Sequence, residues 1–218
     1  MRLVITIDDS RVNQRFGRCR QFMVVDEKGR DLVDNEGAQE EHGAGIRAAQ
    51  QVANLNPTAL ITGEVGPKAS EVLKKMGVKA YHAHGMVEDA ISDFKEGKLE
   101  VLVDPGLICV PLLDSNDLGS RISEHFGHAP YMAVYNPHSD SLVIQENPLD
   151  HQSAKSPADQ LMELVNPSTI FALGMGGRAI NQFSAYGVSL KTGPYKTVKE
   201  MIQHMSELED LTKTCKEE

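Results

Sequence analysis

Two histidines, His125 and His128, stand three positions apart around a Phe-Gly pair in "EHFGHAP" (residues 124–130). Imidazole nitrogens at that spacing can be offered to one soft metal or metal cluster. A closed tetrahedral zinc site takes four ligands, and this segment supplies two. An earlier stretch, "QRFGRCR" (14–20), has the same Phe-Gly core but carries Arg15 and Arg18 where the histidines would be, with Cys19 beside them. Cys19 offers a softer thiolate, and Arg11, Arg15, Arg18 and Arg20 crowd into a local anion-attracting patch. The same arginines also read as a solvated basic loop.

Glycine turns offer a second kind of chemistry. In "LITGEVGPKA" (60–69) and "FALGMGGRA" (171–179) a strand runs into a turn that opens a helix, with Gly63 and Gly66 in one and Gly174 and Gly176 in the other. Glycine lets backbone amides approach a ligand closely, and a helix N-terminus presents unpaired N–H groups with a partial positive charge, so an anion is favoured there. Neither turn matches G-x-G-x-x-G or the phosphate-binding loop ending in Lys-Ser/Thr, so a nucleotide is not the first expectation. Acids give a third possibility. Asp8 and Asp9 close the first strand, Asp114 and Asp117 close its counterpart, and Glu64 follows the fourth strand. Two-metal phosphoryl transfer needs about three or four converging carboxylates, which this spacing does not provide.

A repeated unit must position all of these groups. Shifting the sequence by 110 residues brings Ser10 onto Ser120, Arg11 onto Arg121, Phe16-Gly17 onto Phe126-Gly127, Asn56-Pro57 onto Asn166-Pro167, Gly66 onto Gly176 and Lys68 onto Arg178. Each copy reads β-β-β-α-β-α-β-α. In the first, "RLVITI", "FMVVDE" and "DLVD" are strands, a helix runs from about 45 to 55, "ALITG" is a strand, a helix follows Pro67, "VKAYH" is a strand and a last helix starts at Val87. Apolar stripes at Ala69, Val72, Leu73, Met76 and at Ala179, Phe183, Tyr186 have helical spacing, as do Val87, Ala90, Ile91, Phe94 and Val198, Met201, Ile202, Met205. Methionines at such positions are packing groups. Early hairpins followed by strand–helix alternation predict an α/β fold with a mixed sheet of five strands per copy, covered by helices. The domains expected are 1–103 and 107–210, separated by "KLEVLVDPG", with a polar, fraying tail over 211–218 from "ELEDLTKTCKEE". The loop after the first strand, which ends in each Phe-Gly segment, should lie beside the glycine turns. His82 and His84 read as structural or solvated; His42, His138, His151 and His204 rank below them, with His151 in the loop before a helix.

Composition narrows the functional classes. The net charge of -9 argues against nucleic acid or a membrane surface as partner. It is uneven: residues 1–103 hold 14 basic and 16 acidic side chains (net -2), and 104–218 hold 8 and 15 (net -7). Three cysteines, Cys19, Cys109 and Cys215, form no CxxC and no even set, which fits a reducing compartment. With no apolar run of spanning length and an N-terminus that meets acid at once, the expected location is the cytoplasm.

"RFGRCRQFMVVDEKG", "GAGIRAAQQVANLNPTALITGEVGPKASEVLKKMGVKAYHA" and "VEDAISDFKEGKL" resemble the dinitrogenase iron-molybdenum cofactor biosynthesis family, the carriers of nitrogenase cluster assembly and their relatives outside nitrogen fixation. "SEHFGHAPYMAVYN" through "TVKEMIQHM" resembles a second, more diverged copy. The resemblance implies tandem ribonuclease-H-like domains that hold an iron-sulfur or iron-molybdenum cluster, or a precursor, without turning over substrate. It implies as partners cluster-assembly proteins or a nitrogenase-like acceptor. It makes His125 the leading cluster ligand, with Phe126 and Gly127 shaping its loop, while Arg15 occupies that place in the first copy. The second copy departs from the family in "HQSAKSPAD", where the first has "HGAGIRAA", and in "GMGGRA" against "GEVGPKA". Two alternatives stand beside the carrier: an interaction or regulatory module that keeps the fold without a cluster, and a metal-dependent phosphoryl-transfer enzyme.

Overall fold

Leu3, Val4, Ile5 and Ile7 are apolar without alternation, the pattern of a strand covered on both faces. In the computed structural model, which describes residues 1–150 and 152–211, β1 (Leu3–Asp8) is accordingly a central strand buried from Leu3 to Ile7. His151, Cys215 and the expected fraying of 212–218 lie outside the described residues. The chain divides into two compact units, Met1–Pro105 and a second that starts at Gly106.

In the first unit β2 (Arg11–Val12), β3 (Gln21–Asp26) and β4 (Gly29–Asp34) precede α1 (Ala44–Asn54); β5 (Ala59–Thr62), α2 (Pro67–Lys75), β6 (Ala80–His82), α3 (Val87–Lys95) and β7 (Val101–Val103) follow. The sheet order is β4-β3-β1-β5-β6-β7, with β2 folded back on β1. β1, β5 and β6 are parallel and β3, β4 and β7 antiparallel to their neighbours, so the sheet is mixed. Successive side chains on β1 point to opposite faces. Val4 joins the apolar layer under α1 and α2, with Ala48, Val52, Ala69 and Leu73, whereas Leu3, Ile5 and Ile7 join the layer under α3, with Val87, Ala90 and Ile91.

The second unit repeats the plan with β8 (Ile108–Leu112), β9 (Tyr131–Asn136), β10 (Ser141–Glu146), α4 (Pro157–Leu164), β11 (Thr169–Phe171), α5 (Gly177–Ala185), β12 (Ser189–Thr192), α6 (Val198–Gln203) and β13 (Glu209–Asp210). Its sheet order is β10-β9-β8-β11-β12-β13. Met201 is fully buried among Ile108, Val110 and Phe171, and Met205 packs against that layer, which makes both methionines packing groups.

Each sheet exceeds the expected five strands: the first gains β2 against β1, and β7 and β13 are added at equivalent edges of the two sheets. "KLEVLVDPG" is more than a connector: β7 within it pairs antiparallel with β6, Ala80 opposite Val103. The tail expectation is also corrected at its start, because β13 pairs with β12 and Leu211 donates to the Leu190 carbonyl at 3.0 Å, with its side chain buried in the core. In both cases an otherwise bare strand edge takes up backbone partners from the next available segment. The stripe residues Met76 and Tyr186 lie at helix C-caps and are exposed, since each falls where its helix leaves the core.

Candidate functional site

The Phe-Gly loop of the first unit is anchored by burial. Phe16 is 1% exposed and packs against Phe22, with ring centroids 6.3 Å apart, and the short 3-10 turn Phe16–Arg18 follows from it. Thr6 near the end of β1 donates to the Asn13 carbonyl (3.0 Å), and its hydroxyl oxygen is left to accept from the Thr62 hydroxyl on β5 (2.9 Å). From there the loop runs along the glycine turn that follows β5. Gly63 N donates to Asn13 O (3.2 Å), Glu64 N to Gln14 O (2.8 Å) and Phe16 N to Glu64 O (3.2 Å). Two glycines make this approach possible. A Cβ on Gly63 would stand 2.3 Å from Gln14 Cα, and one on Gly17 would stand 2.7 Å from Gly45 N, distances no side chain tolerates.

These contacts bring together the starts of α1 and α2. A groove of about 710 Å³ is lined by Arg15 to Arg18, by Gly43 to Ile46, by Glu64, and by Gly66 to Ala69. Neither helix has a side-chain cap or an acid in its first turn. Helix geometry leaves the N–H groups of Ala44, Gly45 and Ile46 in α1, and of Lys68 and Ala69 in α2, without an intrahelical acceptor; Pro67 has no N–H to lose. Arg15, Arg18 and Lys68 put three cationic side chains on the lining against one carboxylate, Glu64. Arg18 is partly committed, because its Nη1 donates to the carbonyls of Ala38 (3.1 Å) and Glu40 (2.8 Å), which straps the loop ahead of α1. The groove is thus a concave surface of oriented amides and positive charge, suited to an anion.

Cys19 does not contribute to it. Its side chain is fully buried beside Phe16 and Phe22, its Sγ donates to the Phe16 carbonyl at 3.2 Å, and burial pushes the thiol up to about 12. The expectation of a soft thiolate at Cys19 is therefore corrected: desolvation keeps this sulfur protonated and out of reach. Cys109 is likewise buried, with its thiol pushed up to about 12 by desolvation.

In the second unit Phe126 plays the anchoring part, 4% exposed and edge-on to Phe183 at 5.5 Å. His125 and His128 are exposed on either side of it, and Gly127 is half-buried. The His125 backbone is pinned by Ser123, whose Oγ bonds both His125 N and His125 O at 3.2 Å. Gly174 is buried, and Gly176 is the exposed N-cap residue of α5, which has no side-chain cap. The start of α4 is different. Ser156 Oγ accepts from Asp159 N (3.1 Å) and Asp159 Oδ2 accepts from Ser156 N (3.2 Å), a reciprocal capping box. Asp159 also accepts from the Tyr186 hydroxyl at 2.6 Å; that hydrogen bond, with those from Ser156, holds the carboxyl below its usual range.

The acids do not converge. Among the described residues no three His, Cys, Asp or Glu side chains are grouped to hold a metal ion. Asp114 is taken up by Arg121, whose Nε donates at 2.7 Å and holds the carboxyl below its usual range. His82 Nδ1 lies 3.0 Å from Gly63 O and braces the glycine turn from behind. It also lines a second hollow of about 660 Å³ with His84, Asp89, Asp93, Lys98 and Glu100. Carboxylates outnumber cations there, and Lys98 is paired with Glu96 at 2.6 Å, so this hollow repels the anions that the groove attracts. No helix among the described residues is long and apolar enough to cross a membrane.

Sequence reasoning had placed the leading ligand in the second copy and missed the groove's outer wall at Gly43 to Ile46. The signal was present in "EHGAGIRAA", a helix start without Ser, Thr, Asp or Asn at the cap and without an acid in the turn that follows.

Comparison with known proteins yields a family match in both units. The family model described as dinitrogenase iron-molybdenum cofactor matches residues 1–97 and again residues 107–208. An uncharacterized protein of Methanocaldococcus jannaschii is 35% identical over 106 residues, covering 46% of this chain and 90% of its own length. The apo form of the orange protein from Desulfovibrio gigas is 35% identical and covers 48% of this chain and 94% of that protein, with a TM-score of 0.44. A Thermotoga structure solved by NMR and assigned to the DUF35 family is 37% identical, covering 46% of this chain and 92% of that one, with a TM-score of 0.41.

Proposed function

The chain belongs to the dinitrogenase iron-molybdenum cofactor family through both of its units, and from that premise we propose that it is a non-catalytic carrier for an anionic iron-sulfur or iron-molybdenum cluster or its precursor. The observation that carries the proposal is the meeting of two uncapped helix starts with Arg15 and Lys68 on one groove. Sulfide-bridged clusters bear negative charge on a polarizable surface. Oriented amides and guanidinium groups can hold such a body by hydrogen bonds and charge while its metals keep their own ligands. The groove's volume lies within the roughly 300–1,000 Å³ range of small-ligand sites. Holding without metal–protein bonds suits delivery, since release then breaks no coordination bond. Donor and acceptor are the assembly proteins or nitrogenase-like enzyme that supply and take the cluster. The order β4-β3-β1-β5-β6, with β3 antiparallel, supports the ribonuclease-H-like description. The scattered acids count against phosphoryl transfer.

Anaerobic purification, with measurement of colour, iron, molybdenum and sulfide, tests the proposal. A coloured protein, or one that takes up cluster on reconstitution, is the expected result. A colourless protein that refuses reconstitution would make it an interaction module that has kept the fold.

Coordination by His125 is a second reading, favoured by its exposed imidazole on a loop fixed by buried Phe126. It requires His125→Ala to lower cluster affinity by about 10- to 100-fold, the usual effect of perturbing a metal site. Equal retention in parent and variant would remove it.

A further inference from the structure

The two copies do not treat the start of their first helix alike. In α1 the cap residue is Gly43, with a left-handed φ of 85° and no side-chain cap; Glu40 Oε2 stands 3.7 Å from where a Gly43 Cβ would be, and residues Ala44 to Ile46 line the groove. In α4, at the matching point in the fold, the chain supplies an anion of its own. The Asp159 carboxylate bonds the Ser156 amide, Ser156 Oγ takes the Asp159 amide, and the Tyr186 hydroxyl fixes the carboxylate from the end of α5. The approach to α4 is tied down as well: Gln160 accepts from Asp150 N (2.8 Å) and donates to the carbonyls of Asp150 (2.9 Å) and Lys155 (3.0 Å).

A carboxylate resident at the second copy's helix start shows which charge that position takes, and in the first copy no side-chain carboxylate caps the matching amides. Resting on the carrier reading above, we infer that the chain has one anion receptor, the groove of the first unit, and that the second unit is closed to the same ligand by Ser156, Asp159 and Tyr186. α5 keeps an uncapped start, so the second unit retains one of the two helix ends that the first unit joins. The α5 start offers three such amides, Gly177 to Ala179, against five in the groove of the first unit, and the α4 start carries a fixed negative charge that repels a dianion at close range. The ligand class is a small metal-sulfide anion of charge about two or more. The lost site leaves the second unit available for other contacts while the first holds cargo.

Lys68 and Arg178 occupy matching positions in the second turn-opened helix of each unit, both exposed, which allows a symmetric test. Tetrathiomolybdate, a stable dianionic molybdenum sulfide, is titrated anaerobically into the full chain and into the variants Lys68→Glu and Arg178→Glu, with binding read by absorbance and circular dichroism confirming the fold. The expected result is one equivalent per chain, weakened by at least about tenfold in Lys68→Glu and by less than about twofold in Arg178→Glu. Two equivalents per chain, equal weakening in the two variants, or weakening confined to Arg178→Glu would overturn the single-receptor inference and leave the carrier reading standing. Absence of binding to the parent chain, under conditions where reconstituted cluster is also refused, would overturn both.

Discussion

Ile46→Asp is the substitution that separates charge from shape in the groove. Ile46 is half-buried at the third position of α1 and lines the groove beside the free amides of its own helix start. An aspartate there suits the helix, since a carboxylate in the first turn contributes about 0.3–1 kcal/mol, so the fold is kept. The same carboxylate stands where the cargo would bind. Two unit charges about 4 Å apart repel by about 1 kcal/mol in a water-like medium, and the groove is open to solvent, so a dianion loses about 2 kcal/mol, a weakening of about 30-fold. Tetrathiomolybdate titration at low ionic strength measures it. Ile46→Asn has nearly the same shape without the charge and should bind within about threefold of the parent. At 1 M salt, where the Debye length is about 3 Å, the gap between Asp and Asn should narrow. If Asp and Asn weaken binding equally, or neither does, the groove is not selecting its ligand by charge.

The remaining expectations concern the scaffold. In a Cys215→Ser background neither Cys19 nor Cys109 should react with a disulfide reagent at pH 8 until the chain is unfolded; modification of Cys19 in the native protein at the rate of a free thiol would restore it as a candidate ligand. Because burial raises both thiols from 9.0 to about 12, their contribution to stability is complete below about pH 9 and declines as pH rises toward 12, which denaturant melts across that window should show. Gly63→Ala forces its methyl group into the Gln14 backbone and should cost about 1–3 kcal/mol, read from urea midpoints, with loss of thiomolybdate binding as the loop lifts from the turn. Tyr186→Phe removes the strongest hydrogen bond to Asp159, so that carboxyl should titrate at higher pH, by NMR, with a stability loss of about 0.5–1.5 kcal/mol.

Most of the secondary structure could be read from period and repeat. Continuous apolar runs such as Leu3 to Ile7 and helical stripes such as Val87, Ala90, Ile91 report burial directly, and the shared landmarks 110 residues apart carry one copy's assignment to the other. β7 and β13 escaped because an edge strand joins by its backbone, and neither the short "VLV" run nor "ELED" displays a burial pattern of its own. Cys19 was misplaced for a related reason: its neighbours in sequence are arginines, and only the packing of Phe16 and Phe22 around it encloses the sulfur. "SPAD" at 156–159 carries the spacing of a capping box and was readable as one, yet its meaning emerges only beside a first copy that lacks it. His125 and His128 are exposed, but residue types say nothing of how many donors a folded surface brings together, and among the described residues no three metal-ligating side chains are grouped.

β7 also bears on how the chain can be divided in the laboratory. A fragment that stops at residue 97, where the family match ends, would discard Val101 to Val103 and leave the outer rim of β6 with no strand against it. Such a rim recruits a neighbouring molecule, so that fragment should precipitate or form ladders of paired molecules, whereas one extended through Pro105 should stay dispersed.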